Sequence, residues 1–172
     1  MQVGTVYHTG FTVSDIERSV AFYRDVLGMR LVRRQTGTAP YLARVTGFDG
    51  VRLEIALLQP ADGGSMLELL QYVSHPAPAT DRATNRPGNG HLCFKVDDLR
   101  AACAELSRRG VTLVSEPTEI TAGSHAGGWA VYLRDPDGFT VELYQGPSAA
   151  GGTEATATSG AGRQAGERGR SA

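Results

Sequence analysis

The sequence predicts an α+β protein built from two related modules, and three observations lead to this prediction. First, the segment His8–Ile16 returns as His91–Leu99, with histidine, phenylalanine, valine, aspartate and an aliphatic residue at the same spacings. Second, each copy is followed by the pattern of a helix and then about three strands. Third, a stretch rich in proline and polar residues separates the copies. Chance rarely produces such a repeat, so we expect a duplicated architecture.

The first module begins with a predicted strand over 5–13. A helix follows from Ser14, because Ser14 and Glu17 form a capping-box pattern, and we expect Gly28 to end it. Apolar residues recur at helical spacing between these limits: Ile16, Val20, Tyr23 and Leu27. Further extended segments are predicted at 29–34, 41–46, 51–58 and 66–72, of which one could instead be a loop.

The second module repeats this plan. We predict a strand over 91–96, a helix over 98–109 ended by Gly110, and strands near 111–114, 129–134 and 139–144. The domain organisation is then a first module at 1–73, a linker at 74–89 and a second module at 90–146. Residues 147–172 contain no hydrophobic residue larger than alanine, so they are predicted to form a disordered tail.

Composition excludes several classes of function. The chain has 172 residues, a net charge of −1 and no cluster of basic residues, so neither nucleic acid nor an anionic membrane surface is an expected partner. A small molecule is the expected partner. No secretion signal or apolar run of about 20 residues is visible, which makes the cytoplasm the expected compartment. The two cysteines, Cys93 and Cys103, are expected to be free thiols.

Strand alternation predicts which side chains share a face of each sheet. Both modules close on an apolar triplet with a central glutamate, and each begins with a histidine. We expect one face, opposite the helices, to carry five polar side chains: His8, Glu54, Glu68, His91 and Glu142. Two imidazoles and two carboxylates suit a divalent metal. A lone histidine is more often structural, but four buried titratable groups without a ligand would be costly to desolvate.

Other polar residues carry weaker signals. Glu54 has the simpler interpretation of an exposed residue on an edge strand. His75 and His125 lie in loops and are expected to be solvated. The glycine-rich segment 123–128 could form a lid. Cys93 is expected to fill space as a small apolar side chain.

These motifs resemble the vicinal oxygen chelate superfamily, which includes glyoxalase I, methylmalonyl-CoA epimerase, extradiol dioxygenases and antibiotic resistance proteins. The resemblance covers residues 5–146 and rests on Ser14–Met29, His91–Asp98, Tyr132–Gly138 and Val141–Leu143. It implies two βαβββ modules that form a curved, cup-shaped mixed sheet. It also implies a divalent metal held by the first and last strand of each module, which correspond here to His8, Glu68, His91 and Glu142.

The ligand set resembles that of bacterial glyoxalase I. This implies a metal-dependent lyase or isomerase that acts on an α-oxo or related carbonyl substrate through an enediolate. The metal would be Ni, Zn or Co, with Fe or Mn as alternatives, and would act as a Lewis acid. Glu142 or Glu68 would carry the proton.

Three alternatives stay open at this point. An epimerase of the methylmalonyl-CoA type would use Glu54 and Glu142, although that family generally has glutamine at the position of Glu68. An iron-dependent extradiol-type dioxygenase would leave Glu68 without a metal. A non-catalytic protein that binds a drug or metabolite would need no metal. Small members of the superfamily often pair two chains, so we expect a homodimer, in which the modules of one chain face each other or those of the partner.

Overall fold

The protein contains two four-stranded mixed sheets, as seen in a computed structural model that describes residues 1–148. The first sheet has the strand order β1-β4-β3-β2, formed by β1 (His8–Thr12), β2 (Arg30–Gly37), β3 (Leu53–Gln59) and β4 (Met66–Tyr72). The second has the order β5-β8-β7-β6, formed by β5 (His91–Lys95), β6 (Thr118–Glu119), β7 (Trp129–Arg134) and β8 (Thr140–Gln145). In both, the first strand is parallel to the last and the other pairs are antiparallel. The predicted α+β class is confirmed.

Helix α1 (Ile16–Ala21) begins one residue later than the capping box predicts. The carboxylate of Asp15 accepts hydrogen bonds from the backbone N–H groups of Glu17 and Arg18, at 3.0 and 3.1 Å. Ser14 is not the N-cap, because its hydroxyl donates to Asp137 of the second module. The helix continues as a π-helical turn over Phe22–Val26 and ends at Gly28, which has a positive φ of 74°.

Helix α2 (Tyr41–Thr46) occupies a segment that the sequence predicts to be extended, and that prediction is wrong. Leu42 is 7% exposed and packs in a small apolar cluster with Val51 and with Leu53 and Ile55 of β3. Six residues are too few to form a stable helix alone. Docking of Leu42 on the sheet therefore decides the conformation of this segment.

The second module differs from its prediction at its outer edge. Residues 111–114 form a single bridge, Leu113 to Leu133, rather than a strand. The outer strand is instead the two-residue β6. Helix α3 (Leu99–Arg108) agrees with the prediction, with Asp98 as its N-cap and Gly110 beyond its end.

The helix-covered faces of both sheets contribute to one continuous hydrophobic core. Across the boundary between the modules, the rings of Phe11 and Phe139 lie 3.7 Å apart between centroids. The hydroxyl of Tyr23, which is fully buried, donates to Asp135 Oδ2 at 3.0 Å. The opposite faces of the sheets lie outside this core.

Between β4 and β5, residues 73–90 contain neither helix nor strand, in the region predicted to be a linker. The predicted disordered tail lies, from residue 149 onward, outside the described residues. Among residues 1–148, no helix is long and apolar enough to cross a membrane.

Candidate metal centre

The first module brings His8 and Glu68 together. His8 is the first residue of β1, and the parallel pairing of β1 with β4 sets Gly10 beside Glu68. His8, Gly10 and Glu68 therefore share a sheet face, and His8 Nε2 lies 3.4 Å from Glu68 Oε2. The side chains are 37% and 21% exposed, so both can reach a ligand from solvent.

The second module repeats this arrangement with the same register. His91 is the first residue of β5, and Cys93 lies beside Glu142 as Gly10 lies beside Glu68. His91 Nε2 lies 3.0 Å from Glu142 Oε2, with the side chains 46% and 19% exposed. The sequence repeat is thus a repeat of geometry.

The spacing within each pair suits two neighbouring ligands of one metal ion. Nitrogen and oxygen ligands bind Zn at about 2.1 Å, which places adjacent ligand atoms about 3.0 Å apart at a right angle and about 3.4 Å apart in a tetrahedron. The observed separations of 3.0 and 3.4 Å match these values. Imidazole with carboxylate is also a donor set that borderline metals accept.

A single chain does not bring the two pairs together. No group of three or more His, Cys, Asp or Glu side chains within residues 1–148 lies close enough to share a metal. Each histidine stands on a strand at the end of its sheet, β1 or β5, whose outer edge is unpaired in the described part of the chain. One chain therefore presents two half-sites, His8–Glu68 and His91–Glu142.

Glu54 lies on the other face of the first sheet, so the prediction that it faces away from the helix is wrong. In the antiparallel register of β3 and β4, Leu57 is opposite Glu68, whereas Glu54 is opposite Gln71. Glu54 shares its face with Ala56 and Leu58, which belong to the helix-covered core. Its carboxylate accepts hydrogen bonds from the Thr36 hydroxyl and the Arg52 guanidinium.

The surroundings of the two glutamates differ. Glu68 has Gly10 and Leu57 beside it on the neighbouring strands, whereas Glu142 has Cys93 and Tyr132. Burial, together with the Glu142 charge, raises the pKa of the Cys93 thiol to about 11. The same two causes raise the pKa of Tyr132. Cys93 remains solvent-exposed beside Glu142, so the prediction that it fills space as a small apolar side chain is wrong. Both cysteines are free thiols, as predicted.

Tyr132 is a further residue of this site that the sequence pattern does not single out. Its ring centroid lies 5.3 Å from that of His91, and it is opposite Glu142 on β7. Alternation along 129–134 places Tyr132 on the polar face. The alternation therefore indicated the face of Tyr132, but a tyrosine on a half-exposed sheet face is too common to be identified as a site residue from sequence.

The glycine-rich segment before β7 forms a hydrogen-bonded turn. Gly127 N–H donates to the Ile120 carbonyl, and Ile120 N–H donates to the Gly128 carbonyl, both at 2.8 Å. This turn holds the exposed His125 ring edge-on against Tyr144, which lies two residues beyond Glu142 on the same sheet face. A lid role for the turn stays a prediction.

Comparison with known proteins agrees with this architecture. The sequence model of the Glyoxalase/Bleomycin resistance protein/Dioxygenase superfamily matches residues 5–143. A lactoylglutathione lyase from Haemophilus influenzae is 29% identical over 147 residues, which span 86% of this chain and 96% of the relative. A 2-epi-5-epi-valiolone epimerase from an Actinomyces species is 31% identical over 154 residues, spanning 84% and 81%.

A crystal structure of a glyoxalase family protein from Bacillus cereus superposes with a TM-score of 0.74. The superposition covers 86% of this chain and 97% of the other at 23% identity, which shows that the fold is shared. The family match spans both sheets and both His–Glu pairs. The chain therefore belongs to the Glyoxalase/Bleomycin resistance protein/Dioxygenase superfamily.

Proposed function

We propose that this protein is a metal-dependent lyase or isomerase of the glyoxalase I type, acting on an α-oxo or related carbonyl substrate. The observation that carries the proposal is the pair of His–Glu half-sites at equivalent register positions in the two modules. The lactoylglutathione lyase relatives support the same class of chemistry.

The complete site is proposed to form in a homodimer. The unpaired edges of β1 and β5 carry the two histidines, and a twofold axis can set β1 of one chain beside β5 of another. His8 and Glu68 of one protomer would then meet His91 and Glu142 of its partner, and each dimer would hold two quartets.

In this site a bound Ni, Zn or Co would act as a Lewis acid towards the substrate oxygens. The side chains of the protein would transfer a proton between two carbons of the substrate. An oxygen of Glu142 or Glu68 accepts the proton from the carbon beside the carbonyl and returns it to the neighbouring carbon. The accepting glutamate would have to be weakly held by the metal, because tight ligation lowers the basicity of a carboxylate, and the other three side chains would hold the metal.

The test is to reconstitute metal-free protein separately with Ni, Zn, Co, Mn and Fe. Formation of S-lactoylglutathione from the methylglyoxal–glutathione adduct is then measured, with and without deuterated solvent. We expect turnover without oxygen consumption and deuterium in the product. Glu68→Gln and Glu142→Gln should lower metal affinity and activity, whereas Glu54→Gln, on the other sheet face, is the matched control and should do neither.

Other outcomes identify the alternatives. Oxygen consumption by the iron form would indicate a dioxygenase, and the absence of stoichiometric metal binding would indicate a metabolite-binding protein. A product with the same connectivity as the substrate but the opposite configuration at one carbon would indicate an epimerase.

The epimerase is the second candidate because of the 31% identical valiolone epimerase relative. A mechanism with Glu54 and Glu142 as its two acids lacks geometric support, since Glu54 lies on the face of the first sheet that packs against α1, opposite to the face of Glu68. The two carboxylates of an epimerase would instead be Glu68 and Glu142.

A further inference from the structure

A second candidate binding site lies at the boundary between the modules. It is a cavity of about 500 Å³ between the end of the first sheet, the connecting segment and the turn that carries Asp137. Its volume is in the range of cavities that bind small organic molecules. The lining includes three aromatic or imidazole rings, two prolines and one arginine: Phe48, Tyr72, His75, Pro76, Pro78 and Arg82.

Most polar side chains of this cavity already have partners in the protein. Asp137 accepts from the Ser14 hydroxyl and forms an ion pair with Arg18 at 2.8 Å. Gln71 Oε1 accepts from the backbone N–H of Ile16 at 3.0 Å. These groups close the N-terminal end of α1 and need no ligand.

Arg82 is the exception. Its guanidinium forms no ion pair with any carboxylate in residues 1–148, and its buried Nε–H has no hydrogen-bond partner there. Its guanidinium carbon lies 5.8 Å from the centroid of the Phe139 ring, which holds the side chain at the cavity wall. Because Nε is covered by the protein, a ligand in the cavity would contact the terminal guanidinium nitrogens. A partly buried guanidinium without a counter-ion is costly, and a carboxylate is the group that matches these nitrogens.

Three other residues that line the cavity form an aromatic cluster. The Phe48 ring lies 5.6 Å from Tyr72 and 5.1 Å from His75, measured between centroids. Pro76 and Pro78 add rigid apolar surface to the lining of the cavity. Such a wall favours a planar ring that can stack or pack edge-on.

We propose that this cavity binds a planar aromatic carboxylate, with the carboxylate on Arg82 and the ring against Phe48, Tyr72 and His75. The site is separate from the metal half-sites. Tyr72 lies four residues beyond Glu68 on β4, which is about 13 Å along a strand. None of the four half-site residues lines the cavity, so binding there requires neither the metal nor catalysis.

The experiment is calorimetric titration of metal-free full-length protein with 2-naphthoate, using the uncharged 2-naphthamide for comparison. We expect one naphthoate to bind per chain. The affinity for the amide should be lower than that for naphthoate by about tenfold or more, because charge-assisted hydrogen bonds are about twice as strong as neutral ones. Arg82→Gln should weaken naphthoate about tenfold or more and leave the amide unchanged. Phe48→Ala, at a side chain that is 44% exposed, should weaken both ligands without unfolding the protein.

Arg108→Gln is the matched control, because Arg108 is an exposed arginine on α3 that does not line the cavity. This variant should bind both ligands as the wild type does. The proposal is overturned if naphthoate does not saturate, or if Arg82→Gln and Phe48→Ala, both shown to be folded by circular dichroism, bind it with wild-type affinity. Either failure would leave the proposed metal chemistry untouched. Loss of metal binding, conversely, would not affect naphthoate binding.

Discussion

Mixing two inactivated variants tests whether each quartet is shared between chains. One variant carries His8→Ala and Glu68→Ala, and the other carries His91→Ala and Glu142→Ala. Each removes one half-site and leaves the other intact, since the pairs lie in different sheets. Neither homodimer can build a quartet.

The expected magnitude follows from the symmetry. In a mixed dimer, the intact half-site of the first variant faces the intact half-site of the second, and one of the two sites is complete. Random exchange of equal amounts gives about half mixed dimers, so about one quarter of the wild-type sites should return. Mixed dimers isolated through two different affinity tags should hold about half as much metal as the wild type.

The assay is metal stoichiometry, measured by titration of metal-free protein and by native mass spectrometry, which also shows that mixed dimers have formed. The parental homodimers are the controls and should bind no metal at the high-affinity site. Mixed dimers that bind no metal would refute the shared site. A wild-type protein that is monomeric when loaded with one metal per chain would refute it as well.

Three further predictions concern the fold. Tyr23→Phe removes a buried donor to Asp135 and should cost about 1–3 kcal/mol, or a few degrees of Tm per kcal/mol; in urea unfolding, Tyr41→Phe, at an exposed ring, should leave stability unchanged. Burial raises the pKa of Asp135. The protonated side chain therefore stabilises the fold below the ordinary aspartate pKa of about 3.9, and this contribution is lost as pH rises through the raised pKa of the folded protein. The stability of wild type relative to Asp135→Asn should fall as pH rises above about 3.9, and a difference that does not change with pH would contradict this. Gly128→Ala would place a Cβ 2.8 Å from a carbonyl oxygen and should cost about 1–3 kcal/mol, whereas Gly90→Ala, in open space, should be tolerated.

The faces of the metal-ligand candidates could be predicted because their neighbours leave one option. Glu68 lies between Leu67 and Leu69, and Glu142 between Val141 and Leu143. All four apolar neighbours are at most 3% exposed. When both neighbours must be buried under a helix, alternation places the glutamate on the other face.

Glu54 could not be placed in this way because β3 is apolar on both faces. Leu53 and Ile55 pack beneath α2, whereas Ala56 and Leu58 pack in the core on the α1 side. The sequence shows one alternating apolar set but does not show which helix covers it. Because the segment of α2 was predicted to be extended, the prediction included no helix packed against Leu53 and Ile55.

The N-cap of α1 was misplaced for a different reason. Ser14 has the better capping pattern locally, but its N–H and hydroxyl bond to Asp137, which is 123 residues further along the chain. Contacts between modules are not visible in local patterns. The same limit applies to Tyr23 and Asp135, whose hydrogen bond also joins the two modules.

The residues beside Glu68 differ from those beside Glu142, and this difference affects how a prochiral ligand can be oriented in a site formed by both. If the two modules were identical, a site formed by both half-sites would be pseudosymmetric, and a ligand could bind in either of two opposite orientations with equal energy. Gly10 and Leu57 on one side, against Cys93 and Tyr132 on the other, remove that equivalence. A prochiral guest that touches both sides would thus settle in one direction, which is a prerequisite for stereochemical fidelity.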